Sequence, residues 1–129
     1  MTDKELLKQK QFDIIQKYNP MMDDYHMGIR SVDDIKTFDE VVNDDESFYY
    51  GDFDQLDAEI ALKQGKVTIF SSKPIEQGGF VSTSYRMAKD YAGGGNVYSR
   101  KVPIDSVAWI NGDEGQYADT TARCKDLER

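Results

Sequence analysis

A chain of 129 residues with 24 acidic and 16 basic side chains carries a formal charge of −8, and its length fits one domain with a modest core. Its apolar and aromatic content, 39% and 12%, argues against wholesale disorder, and its longest apolar run, Val107 to Ile110, is too short to span a bilayer. One cysteine, Cys124, excludes an internal disulfide and a cysteine-built metal cluster, and the Met-Thr-Asp-Lys-Glu start does not read as a secretory signal, so a reducing, cytosolic setting is expected.

Residues 3–18 read as a helix, with Leu7, Phe12 and Ile15 near helical spacing and Asp3 as its cap. Asn19-Pro20 ends it, because the residue before proline avoids the helical region. Residues 1–22 therefore form an N-terminal helix and lead-in. Tyr25 to Arg30 reads as a short strand. Ser31 is then expected to cap a second helix whose apolar side is Val32, Ile35, Phe38, Val41 and Val42. Asn43 to Glu46 reads as a loop, and Phe48 to Phe53 as an aromatic stretch that lines a cleft or seals the core. Asp54 caps a third helix carrying Leu56, Ile60 and Leu62, and Gly65 closes it.

From Lys66 the pattern changes. Val67 to Ser71 is β-branched and aromatic, hence a strand. Lys73-Pro74 and Gln77-Gly78-Gly79 bracket a turn. Phe80 to Thr83 is the next strand, and Ser84 caps a short helix from Tyr85 to Ala92 that Gly93-Gly94-Gly95 stops. Val97 to Val102 alternates and ends at Pro103. Val107 to Ile110 follows, then an Asn111-Gly112 turn and a last strand through Tyr117. Residues 120–129 read as a flexible tail. Helices early and strands late argue for an α+β domain over the whole of 1–129.

The charge is uneven. Between Asp23 and Glu59 thirteen acidic residues face Arg30 and Lys36, a net −11 that leaves about +3 for the rest. Such a block repels nucleic acid and attracts a basic protein surface at long range. Asp33, Asp34, Asp44, Asp45, Glu46, Asp52 and Asp54 are its candidate partner-binding residues. The plainer reading is solvated helix surface.

Ser82-Thr83-Ser84 has two readings of its own. As a strand end followed by a helix cap it needs no further role, since hydroxyl side chains favour that place. Its flanks are more specific: Phe80 leads the strand, a helix with Ala88 and Tyr91 follows, and then come a glycine-rich loop and a strand ending in Val102-Pro103. In this order Phe80 to Ala92, with Val97 to Pro103 and Val107 to Tyr117, resembles the core of the bacterial and phage ADP-ribosyltransferase superfamily. That family has a Phe-x-Ser-Thr-Ser strand, a short helix, a strand leading into Val-Pro, and a carboxylate near the last strands. Tyr25-His26-Met27-Gly28-Ile29-Arg30 is similar to its first strand, which carries an arginine in one branch and a histidine in the other. The wording of the chain also resembles small proteins of phages and mobile elements.

The resemblance implies two small, mostly antiparallel sheets with an NAD cleft between them. It implies NAD as cosubstrate, held by His26 or Arg30, Gly28, Ser82, Thr83, Ser84 and Tyr91. His26 and Arg30 are four apart, so on a strand both lie on one face. A guanidinium suits two phosphates, whereas an imidazole suits the adenosine ribose. The family's last motif is Glu-x-Glu or Gln-x-Glu, with the final glutamate catalytic. Here the motif is Glu114-Gly115-Gln116, so Glu114 and Gln116 are both candidates for that place. An amide there lacks the charge that stabilises a developing cation.

Two functions are expected from these features. The first is a phage or mobile-element mono-ADP-ribosyltransferase acting on a host macromolecule in the cytosol. The alternative is an inactive, acidic inhibitor of anti-CRISPR or other counter-defence type. It would block a basic, nucleic-acid-binding surface of a host protein without touching nucleic acid or membrane itself.

Overall fold

Thr2, one residue ahead of the expected cap, opens the first helix. Its Oγ1 accepts the Glu5 N–H at 3.1 Å, while the Glu5 carboxylate accepts the Thr2 N–H at 3.0 Å, a reciprocal capping box. The computed structural model describes residues 2–18, 29–43, 54–111 and 114–121. Within them lie helices α1 (Asp3–Tyr18), α2 (Phe38–Val42), α3 (Gln55–Gln64) and α4 (Tyr85–Ala92). The strands are β1 (Lys66–Ser71), β2 (Phe80–Ser82), β3 (Tyr98–Pro103), β4 (Val107–Asn111) and β5 (Glu114–Tyr117).

The fold is α+β. The strands join in one five-stranded sheet of order β3-β1-β2-β5-β4, antiparallel at every pairing. Two small sheets were expected; among the described residues there is one.

Alternation along each strand divides the sheet into two faces. On the first face Val67, Ile69, Val81, Val102, Val107, Trp109 and Tyr117 pack against Phe38, Val41 and Val42 of α2 and Ala58 and Ala61 of α3. Trp109 is fully buried; its ring lies 5.0 Å from that of Phe38, and its indole N–H donates to the Ile104 carbonyl at 3.0 Å. Full burial of side chains of this kind is worth about 1.5–3 kcal/mol each. On the second face Ile15 of α1 packs with Ile29, Ile35, Ala108 and Ala118. Gln11, almost fully buried, ties α1 down by donating to the Asp105 carbonyl at 2.9 Å.

The expected helix from Ser31 to Val42 is instead a 3₁₀ turn, Val32–Asp34, an extended link, and α2. The reason is a non-local pairing. Lys36 donates its N–H to the Trp109 carbonyl at 2.8 Å and accepts the Trp109 N–H at 3.2 Å, a bridge beside β4. The chain crosses the sheet edge there. Ile35 therefore enters the second-face core and Phe38 the first-face core, although the sequence spacing put both on one helical side. Thr37 then caps α2: its Oγ1 accepts the Glu40 N–H at 3.4 Å, and its own N–H donates to the Glu40 carboxylate at 2.9 Å. Lys8 of α1 reaches round to Glu40 at 2.9 Å.

The other boundaries follow local chemistry. Asp54 accepts the Asp57 N–H at 3.0 Å and caps α3, and Gly65 ends it at φ +73°, a left-handed conformation that favours glycine. The expected strand Tyr25–Arg30 falls outside the described residues except for Ile29 and Arg30. The 44–53 stretch, Gly112 of the Asn-Gly turn and residues 122–129 fall outside them as well. Among the described residues no helix is long and apolar enough to cross a membrane.

Candidate functional site

The second face of the sheet carries a row of residues that the register places side by side. Ser99 of β3 pairs with Phe70 of β1, Phe70 with Ser82 of β2, Ser82 with Glu114 of β5, and Glu114 with Asn111 of β4. Directly paired residues of antiparallel strands stand about 4.5–5.5 Å apart at Cα. A hydroxyl and a carboxylate, 32 positions apart in sequence, are thus immediate neighbours. The adjoining row is Phe80, Gln116 and Ala108.

Over the Phe70–Ser82–Glu114 part of this face lies a groove of about 840 Å³, within the roughly 300–1,000 Å³ usual for small-molecule sites. Its floor includes Phe70, Phe80, Ser82 and Glu114. One wall is the β1–β2 loop from Ser72 to Gly79, and the other is α4 through Met87, Ala88 and Tyr91, with Tyr18 of α1 at the margin.

Each element sets its part of this site for a local reason. The α4 wall is fixed by Ser84, whose buried Oγ accepts the Met87 N–H at 3.1 Å. Ser82 is oriented from both sides: its Oγ accepts the Ser84 N–H at 2.9 Å and donates toward the Met87 sulfur at 3.7 Å. Tyr85 packs edge-on to Phe70, with centroids 5.6 Å apart. The β1–β2 loop is held at its far end by β5 and by Asp119 just beyond it. Gly78 donates its N–H to the Tyr117 carbonyl at 2.7 Å, and Tyr117 donates its N–H to the Gly79 carbonyl at 2.8 Å. The Gln77 amide closes a second pair with the Asp119 backbone, at 2.9 and 2.8 Å. The Tyr117 hydroxyl donates to Asp119 at 3.3 Å. Burial pushes its pKa above the ordinary tyrosine value, Asp119 adds to that, and Arg100 opposes it, so the hydroxyl keeps its proton.

The groove brings together Ser82, Glu114 and Tyr91 from the sequence-derived set. It does not include the other described members, Thr83, Ser84, Gln116 and Arg30. Thr83 and Ser84 are buried beside it, and Ser84 is occupied as the α4 cap. Gln116 is fully buried and makes both its amide bonds to backbone. Arg30 is exposed and does not line the groove; its N–H donates to Asp34 at 2.9 Å. His26 and Gly28 lie outside the described residues.

Of the acidic set, Asp33 is exposed. Asp34 accepts the Arg30 and Ser31 N–H groups, and Asp54 accepts that of Asp57, so two of the described three carry local structural duties. Asp44, Asp45, Glu46 and Asp52 lie outside the described residues.

Phe70, the β1–β2 loop and Met87 also line the groove, and sequence reasoning did not single them out. An aromatic near the end of a strand pattern, followed by a Pro- and Gly-containing loop, was the available signal.

Comparison with family models, with curated proteins and with solved structures returned no match.

Proposed function

We propose that the groove binds NAD and that the protein transfers ADP-ribose from it to an acceptor. The single observation that carries this reading is the Ser82–Glu114 pair, set in register on the floor of a groove that Phe70, Phe80 and Tyr91 also line. The donor set suits such a ligand. A hydroxyl and a carboxylate match ribose hydroxyls, Phe70, Phe80 and Tyr91 offer faces or edges to a heteroaromatic ring, and Lys73 supplies a cation at the rim for phosphate. Bound NAD supplies an activated glycosidic bond, whose electron pair leaves with nicotinamide while an acceptor nucleophile bonds to the ribose carbon and releases its proton.

In this scheme Glu114 holds a ribose hydroxyl and places fixed negative charge where positive charge grows on the sugar. Ser82, locked by Ser84 and Met87, stands beside that carboxylate on the neighbouring strand. The α4 and β1–β2 walls keep water from the sugar carbon. Gln116, whose amide is already committed, takes no part in the chemistry.

Calorimetric titration with NAD and a nicotinamide-release assay in host lysate test this. Wild type should bind NAD and release nicotinamide. Glu114→Gln should keep binding within a few-fold and lose release by roughly a hundredfold or more, the size expected when a key electrostatic group is removed. No binding at millimolar NAD, or release by Glu114→Gln at the wild-type rate, removes the reading.

A further inference from the structure

Gln116 is fully buried without lining the groove, and its amide joins two segments far apart in sequence. Its Oε1 accepts the Ile29 N–H at 2.9 Å, and its Nε2 donates to the Gly78 carbonyl at 2.9 Å. Gly78 belongs to the loop that forms one wall of the groove. Ile29 begins the stretch that runs through the Lys36 bridge to α2. A primary amide accepts on one atom and donates on the other; a carboxylate accepts only. With a carboxylate at this place the Ile29 N–H keeps its acceptor, while the Gly78 carbonyl loses the Gln116 N–H and meets a negative charge.

We propose that Gln116 is a positioning residue whose amide clamps the Ser72–Gly79 wall to the chain at Ile29 and thereby sets the shape of the groove that a ligand meets. The consequence for NAD rests on the reading above; the clamp itself does not. The elements around the amide bring these charged groups: Glu114 on β5, Asp119 after it, Lys73 and Glu76 in the loop, and Arg30 and Asp34 beside Ile29. β2 and β4 place Phe80 and Ala108 next to it, and the buried side of α1 carries Gln11 and Ile15.

Amide hydrogen exchange followed by NMR on the full chain tests the clamp without any ligand. In Gln116→Leu, the Ile29, Gly78 and Gly79 amides should exchange at least about tenfold faster than in wild type, beyond any change shared by the whole core. In Gln116→Glu at pH 8, Ile29 should stay protected while Gly78 and Gly79 lose protection. Burial at this fully buried place raises the carboxyl's pKa, so that at pH 5 it is protonated and donates again, and their protection should return after correction for intrinsic rates. Unchanged exchange in Gln116→Leu, or no pH dependence in Gln116→Glu, overturns the proposal. Should either variant fail to fold, the wild-type Gln116 side-chain N–H protons decide it: slow exchange supports the clamp, and exchange at the rate of a solvated amide overturns it. NAD titration of Gln116→Glu should show affinity weakened about tenfold at pH 8 and recovered at pH 5. If wild type itself binds no NAD, the NAD reading falls while the exchange data judge the clamp separately.

Discussion

Gly115 separates the two candidate site residues of β5, and replacing it with alanine tests the packing that holds them. A Cβ built there lies 2.7 Å from Val107 Cγ1, 2.8 Å from the Ala108 carbonyl oxygen and 3.3 Å from Trp109 Cα. The valine methyl can rotate away; the carbonyl oxygen belongs to β4 and cannot. It is about 0.6 Å short of ordinary van der Waals contact, so the strands must separate or shift. Overpacking costs typically 1–3 kcal/mol, and with backbone on one side the upper half of that range, about 2–3 kcal/mol, is expected. For a domain of this size that lowers Tm by about 6–15 °C. The reference is Gly65→Ala, where φ is +73° but nothing lies within 4 Å, so that conformational strain of about 1 kcal/mol acts alone. Urea denaturation of wild type and both variants, with calorimetric melting, measures the difference. If Gly115→Ala costs no more than Gly65→Ala, the close β4–β5 approach at Gly115 is wrong, and the placement of Glu114 and Gln116 goes with it.

Two further predictions concern the tie between α1 and α2 and the cap of α4. Burial opposes the charge on Glu40, but the Thr37 N–H and the Lys8 ammonium outweigh it and lower its pKa from the ordinary 4.5 to about 2. A depressed folded-state pKa gives stability that is present above pH 4.5 and lost as pH falls toward 2. Lys8→Met should therefore flatten the acid limb of a stability-versus-pH curve, by under about 1 kcal/mol because the pair is partly solvated; an unaltered limb contradicts the pairing. Ser84→Ala removes the α4 cap but keeps the backbone N–H that holds Ser82. It should cost about 1 kcal/mol and speed amide exchange in the first turn of α4, with Met87 the amide to watch; no change at Met87 contradicts the cap.

The features legible in the sequence were those that depended on near neighbours. The Asp54 and Gly65 ends of α3, the Ser84 cap and Gly93 stop of α4, and the β-branched run of β1 all follow from residues within one turn or one strand of each other. The Ser31–Val42 stretch departs from its local pattern because Lys36 is held by the backbone of Trp109, more than seventy positions away from it, and by a sheet edge that no local period encodes. The site divides in the same way. Glu114 and Gln116, two apart on a strand, were bound to share a face. Which one opens to the groove and which is buried depends on Ile29 and the β1–β2 loop packing over one end of that face. Likewise the Ser82–Glu114 pairing requires the β2–β5 register, which hydroxyl and carboxylate composition cannot supply. Resemblance places Arg30 in the cleft; its exposed position away from the groove follows from the Asp34 turn beside it.

The central claim is that an acid and an alcohol from neighbouring strands face one ligand. A crystal structure of the protein grown with NAD measures it directly. Density for the dinucleotide is expected between α4 and the Ser72–Gly79 loop, with a ribose hydroxyl within hydrogen-bond distance of Glu114. Dinucleotide density on another surface, or in the groove with Glu114 turned away from the sugar, contradicts it.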